Sequence, residues 1–141
     1  MPIVDLGSVS LHYRLEGAAN GPVLALIHSL GTDLSMWNGV TDDLAADHLI
    51  LRFDLRGHGA SGVPPGLYQL ADFCQDLFAL LDVLNLARVH LAGTSLGGMI
   101  VMAAPSMLRA VYAVSFSPIR RRESVRAMAG AHGWSGFTWT G

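Results

Sequence analysis

Charge is scarce in this chain. Asp, Glu, Lys and Arg make up 14% of its 141 residues, against about 25% in an ordinary globular domain. Beside an apolar share of 51%, that excludes an intrinsically disordered chain, whose composition runs the other way. A basic excess is missing too. Nine Lys and Arg stand against eleven Asp and Glu, a formal net charge of −2, so no electrostatic footprint for nucleic acid exists. Cysteine is almost absent: Cys74 alone cannot close an internal disulfide. A lone thiol fits a reducing compartment, and a cytoplasmic location is expected. The first residues, Met1-Pro2-Ile3-Val4-Asp5, carry an acid early and no basic flank, so no signal peptide is expected. No unbroken apolar stretch reaches the roughly 18 residues of a membrane span. A P-loop lysine is missing, phosphate binding by the glycine-rich loops is a remote expectation, and no cofactor is implied.

What is present is alternation of strand and helix patterns over a length that suits one domain. Ile3–Leu6 and Val9–Glu16 read as an antiparallel strand pair joined at Gly7-Ser8. In the second strand Val9, Leu11, Tyr13 and Leu15 alternate with Ser10, His12, Arg14 and Glu16, which predicts one wet face. Pro22–Ile27 is a continuous apolar run, the mark of a strand covered on both faces. Trp37–Asp47 has helical spacing, and Leu49–Asp54 reads as a strand. Leu55–Gly66, with four glycines and two prolines, is loop. Leu70–Leu84 predicts the best helix: Phe73, Leu77, Leu80, Leu81 and Leu84 form an apolar stripe, with Asp72, Gln75, Asp76 and Asp82 off it. Val89–Ala92 predicts a buried strand, a helix opens at Ser95 and ends before Pro105, and Ala110–Phe116 predicts a last strand. The fold class is therefore α/β, a mostly parallel sheet with flanking helices and an N-terminal antiparallel strand pair.

The segment Gly93-Thr94-Ser95-Leu96-Gly97 fits G-x-S-x-G, after a predicted strand and before a predicted helix. A serine on so sharp a turn takes strained backbone angles, and small flanking residues permit the close approach it needs. The turn lifts Oγ above the sheet at a helix N-terminus, whose dipole favours developing negative charge. The Leu96 N–H then supplies half of an oxyanion hole, and the Leu30 N–H, in the loop after the first buried strand, is the candidate for the other half. His28 is expected to be a half-buried imidazole bracing that loop.

Three segments together, His28-Ser29-Leu30-Gly31, Asp54-Leu55-Arg56-Gly57-His58-Gly59-Ala60-Ser61-Gly62 and Gly93-Thr94-Ser95-Leu96-Gly97-Gly98, resemble the signature loops of the α/β-hydrolase superfamily, in order. Ser29-Leu30-Gly31-Thr32-Asp33-Leu34-Ser35-Met36-Trp37 and Val63-Pro64-Pro65-Gly66 are similar to 3-oxoadipate enol-lactonases and related small esterases. The resemblance covers Met1 to about Pro118. It implies a serine hydrolase, a carboxylesterase or lactonase of small esters, with Ser95 as nucleophile, Leu30 and Leu96 as oxyanion donors, and Asp54 with the loop after it as the floor of the site. It implies a structural part for His58, since the catalytic order on this fold is serine, acid, histidine.

A complete fold of this class runs to about 250 residues, so a truncated core lacking the later strands is expected, with residues 1–118 as core and 119–141 as an atypical tail. After Ser95 only Glu123 and His132 can be the acid and the base in family order within one chain. The alternative is a catalytically impaired remnant that folds and oligomerises without a complete triad. A mean hydropathy of +0.40 and an unpaired sheet edge lead to the expectation of a homo-oligomer, with Trp134 and Trp139 as candidate anchors.

Overall fold

Successive side chains of a strand point to opposite faces, and the run after Pro22 uses both. Ala25 and Ile27 enter one core while Leu24 and Leu26 enter another. All four are buried, which is why the run carries no polar alternation. The computed structural model describes residues 2–104 and 111–116, the last six by backbone alone. The expected tail with Glu123, His132, Trp134 and Trp139 lies outside the described residues.

The strands are β1 (Ile3–Asp5), β2 (Ser10–Gly17), β3 (Val23–Ile27), β4 (Leu49–Phe53), β5 (Val89–Thr94) and β6 (Val111–Phe116). They form one sheet in the order β1-β2-β4-β3-β5-β6. β4, β3, β5 and β6 run parallel, and β2 and β1 join antiparallel at one side. Three α-helices are described: α1 (Asn38–Leu44), α2 (Leu70–Val83) and α3 (Leu96–Ala103), with a 3-10 turn at Leu34–Trp37 leading into α1.

The helices cover both faces. On one side the α2 stripe of Phe73, Leu77, Leu80 and Leu81 packs with Ile100 and Val101 of α3 on Ala25, Ile27, Leu51, Phe53 and Leu91. On the other, Trp37, Val40 and Leu44 pack on Leu24, Leu26, Ile50 and Ala92. α2 starts with a reciprocal cap in which the Asp72 carboxylate accepts from the Gln69 N–H at 2.7 Å. It ends at Asn85, whose φ of +54° is the left-handed conformation that asparagine tolerates after a helix.

Two expectations about wet faces need correction. The polar face of β2 is not solvated at His12, which is buried, with its Nδ1 2.8 Å from Asp54 Oδ2. Further along the same pair of strands, the buried Arg52 guanidinium binds Glu16 and donates to Asn38 Oδ1 at 2.6 Å. The α1 side of the sheet covers this face at His12 and Arg52, where the polar side chains pair with one another, while Arg14 on the same face stays exposed. Asp76, off the α2 stripe, is buried as well, where it accepts two bonds of 2.6 Å from Arg56. Burial of charge demands such partners.

The strand order reverses between β3 and β5. The chain leaves β3 toward β4 on one side and leaves β5 toward β6 on the other. Ligands of open α/β sheets bind in the crevice at the carboxyl ends of two such strands. Ile27 and Gly93 are paired there, so the loop holding Leu30 and the turn holding Ser95 start side by side.

Candidate active site

Ser95 sits between β5 and α3 with φ +54° and ψ −116°. A serine at positive φ outside the helical region stores strain on the order of 1–3 kcal/mol. The glycines around it explain how the turn is made. A Cβ on Gly93 would collide with the backbone of Gly97, and one on Gly97 with the carbonyl of Ile27. The start of α3 is thus pressed against both its own strand and the end of β3. Ser95 caps the helix with its backbone, the Met99 N–H donating to its carbonyl at 2.9 Å. The serine itself is exposed. Leu96 is the first residue of α3, where a backbone N–H has no acceptor within the helix.

The neighbouring loop is fixed by its polar groups. The Ser29 carbonyl accepts from the Thr32 N–H at 3.2 Å, the Thr32 hydroxyl at 2.7 Å and His28 Nδ1 at 2.9 Å. His28 Nε2 accepts from the Leu55 N–H at 2.9 Å. This pairing assigns the neutral Nδ1–H tautomer. His28 braces the loop as expected but is fully buried, not half-buried. Burial pushes its pKa below the usual histidine value, against the opposing pull of the bond to Ser29. Leu30 is exposed at the tip of the turn, with Gly31 beside it at φ +73°.

Asp54, at the end of β4, gathers the third loop. Its Oδ1 accepts from the Leu34 N–H at 2.8 Å, and its Oδ2 from the Ala60 N–H at 2.9 Å and from His12 Nδ1. The segment Gly57-His58-Gly59-Ala60-Ser61-Gly62 has G-x-G-x-x-G spacing, which raises the question of a phosphate cradle. Its amides answer it. Gly57 N–H goes to the Gly62 carbonyl, Ser61 N–H to His58, Gly62 N–H to Ser10 and Ala60 N–H to Asp54. The segment opens no helix, α2 beginning only at Leu70.

Sequence patterning does not announce His12 at this site, nor the bond in which the Gly31 N–H donates to His58 Nε2 at 3.1 Å. The available signal was Asp54 itself, a carboxylate ending a buried strand, which must find donors. Five of the six histidines lie among the described residues. His12, His28 and His58 are committed to other partners, His48 precedes β4, and His90 lies early in β5, five residues before Ser95. No group of three metal-ligating side chains occurs among the described residues, and no described helix is long and apolar enough to cross a membrane.

A strained serine turn between strand and helix, at the switch point of a mostly parallel sheet, defines a class. The chain belongs to the alpha/beta hydrolase fold family, which residues 22–115 match. It is 38% identical over 91 residues to 3-oxoadipate enol-lactonase 2 of Acinetobacter baylyi, covering 64% of this chain and 34% of that protein. Among solved structures it resembles the enol-lactonase from Burkholderia xenovorans LB400, with TM-score 0.73 and 38% identity over 75% of this chain and 42% of that one. A hydrolase from Pseudomonas aeruginosa PA01 is 46% identical, with TM-score 0.67, over 73% of this chain and 40% of that one. The chain spans about a third of the length of the first curated relatives it matches.

Proposed function

We propose that the chain carries the nucleophilic half of a serine hydrolase for small carboxylic esters or lactones. Ser95 attacks the acyl carbon, the tetrahedral oxyanion rests on the N–H groups of Leu30 and Leu96, and water later releases the acid from the acyl-enzyme. The observation that carries this reading is the exposed, strained Ser95 at a helix N-terminus. The similarity to enol-lactonases supports the substrate class. His132 is the base and Glu123 the acid that family order leaves in this sequence.

Hydrolysis of a short-chain nitrophenyl ester by the protein and by Ser95→Ala tests the reading. Ser95→Ala is expected to reduce the activity to the residual that the oxyanion hole and binding alone supply; undiminished activity would overturn the mechanism. His132→Ala is expected to leave a weak residual rate, since an oxyanion hole and binding alone can retain about 10³–10⁴-fold acceleration over water. The impaired-remnant alternative predicts equal, near-background rates for all three proteins. Self-association and a cytoplasmic location belong to the same proposal. Leu67, Val63 and Met102 are exposed apolar side chains that a second copy would cover, and light scattering from a stable monomer at micromolar concentration would contradict it.

A further inference from the structure

His58 takes no chemical part in the proposed reaction, yet its ring lies on the loop that presents Leu30. Its Nε2 accepts from the Gly31 N–H at 3.1 Å, and its Nδ1 lies 3.0 Å from the Arg56 carbonyl. A carbonyl can only accept, so Nδ1 carries the proton and Nε2 is free to accept. The ring stands edge-on to His28 at 5.1 Å. Its base is anchored in turn, because Arg56 holds Asp76 of α2 through two bonds and lies over the Tyr68 ring at 5.6 Å.

A peptide unit is planar and trans, so a carbonyl and the N–H of the next residue point in opposite directions. The donors gathered on the Ser29 carbonyl therefore turn the Leu30 N–H away from themselves. That fixes one side of Leu30. The other side is the Leu30–Gly31 peptide, at an exposed tip where Gly31 has the left-handed conformation. There His58 supplies a tether from a different loop, 27 residues further along the chain.

We infer that His58 is a positioning residue: in its Nδ1–H form it holds the Gly31 amide and so fixes the direction in which the Leu30 N–H meets the developing oxyanion. The inference rests on the reading of Leu30 as an oxyanion donor. A donor aimed at charge that appears only in the transition state acts on kcat and leaves KM almost untouched when it is displaced.

His58→Phe keeps a ring and removes the acceptor. His58→Gln places an amide oxygen at the reach of Nε2 and restores it. For a short-chain nitrophenyl ester, His58→Phe is expected to lower kcat about tenfold or more, with KM within about twofold of the parent. His58→Gln should return kcat to within about threefold of it. Amide hydrogen exchange at Gly31 gives a readout independent of turnover: slow in the parent and in His58→Gln, faster in His58→Phe, with unfolding midpoints recorded for all three. Unchanged kcat in His58→Phe, equal losses in the two variants, or Gly31 exchange indifferent to the substitution would overturn the inference. Activity undiminished in Ser95→Ala would instead defeat the underlying hydrolase reading, while the exchange measurement still decides whether the tether exists.

Discussion

The turns after β4 and β5 stand at the carboxyl ends of parallel strands and are built by opposite means. The turn after β4 is held by side chains. Asp54 accepts from Leu34, Ala60 and His12, Ser61 Oγ donates to the Asp54 carbonyl at 2.6 Å, and Arg56 clasps Asp76. The turn after β5 is held by the lack of them: Gly93 and Gly97 let backbone touch backbone, and Ser95 absorbs the strain. A site needs both. The polar turn satisfies its amides and carboxylate and steadies the loop beside it, and the Ser95 hydroxyl has no hydrogen-bond partner among the described residues.

Breaking the polar turn is expected to cost stability first. Asp54→Ala strands the Leu34 and Ala60 amides and the His12 ring, and a loss of about 3–5 kcal/mol is expected, since each buried group left without its partner costs about 1–3 kcal/mol. Urea unfolding measures it, and a loss below about 1 kcal/mol would show the hub to be dispensable. Breaking the glycine turn is expected to cost less stability and more chemistry. Gly97→Ala must push α3 off the Ile27 carbonyl. That overpacking should cost about 1–3 kcal/mol, with ester hydrolysis lost in the protein that remains folded.

Acid should act on the polar side of the comparison. His28 resists protonation in the folded state because it is buried, so below the ordinary histidine value near 6.5 the unfolded chain binds more protons. The stability that neutral His28 contributes is complete above that pH and is lost as pH falls through it. His90, shifted the same way by burial and by the nearby His48, adds to the slope. The melting temperature is therefore expected to drop between pH 7.5 and 5.5 in the parent, and still to drop, less steeply, in His90→Gln. A flat profile would contradict the buried neutral assignment. The smallest effect is expected on β1, at the outer edge of the sheet: Ile3, 59% exposed, should tolerate Ile3→Thr within about 0.5 kcal/mol.

Features written within a few residues were legible from the sequence. The α2 stripe repeats at the helical period, and the unbroken run to Ile27 announces a strand covered on both sides. The five residues around Ser95 carry the chemistry of their own turn. What could not be read locally is pairing across the chain. His12 meets Asp54 from 42 residues away, Glu16 meets Arg52 from 36, and Arg56 meets Asp76 from 20. His12 and Glu16 sit where alternation alone predicts solvent, and Asp76 sits off the apolar stripe of its helix. Only the covering elements, placed by the whole sheet, turn those positions inward. The tether from His58 to Gly31 was hidden for the same reason, since it joins the ends of two strands that neighbour each other only after folding.

The central claim is that Ser95 is held as an accessible nucleophile, and covalent labelling tests it most directly. Incubation with a serine-reactive phosphonate, followed by intact mass and peptide mapping, should give a single adduct on Ser95 that disappears in Ser95→Ala. No adduct on the folded protein, or an adduct unchanged in Ser95→Ala, would contradict the account.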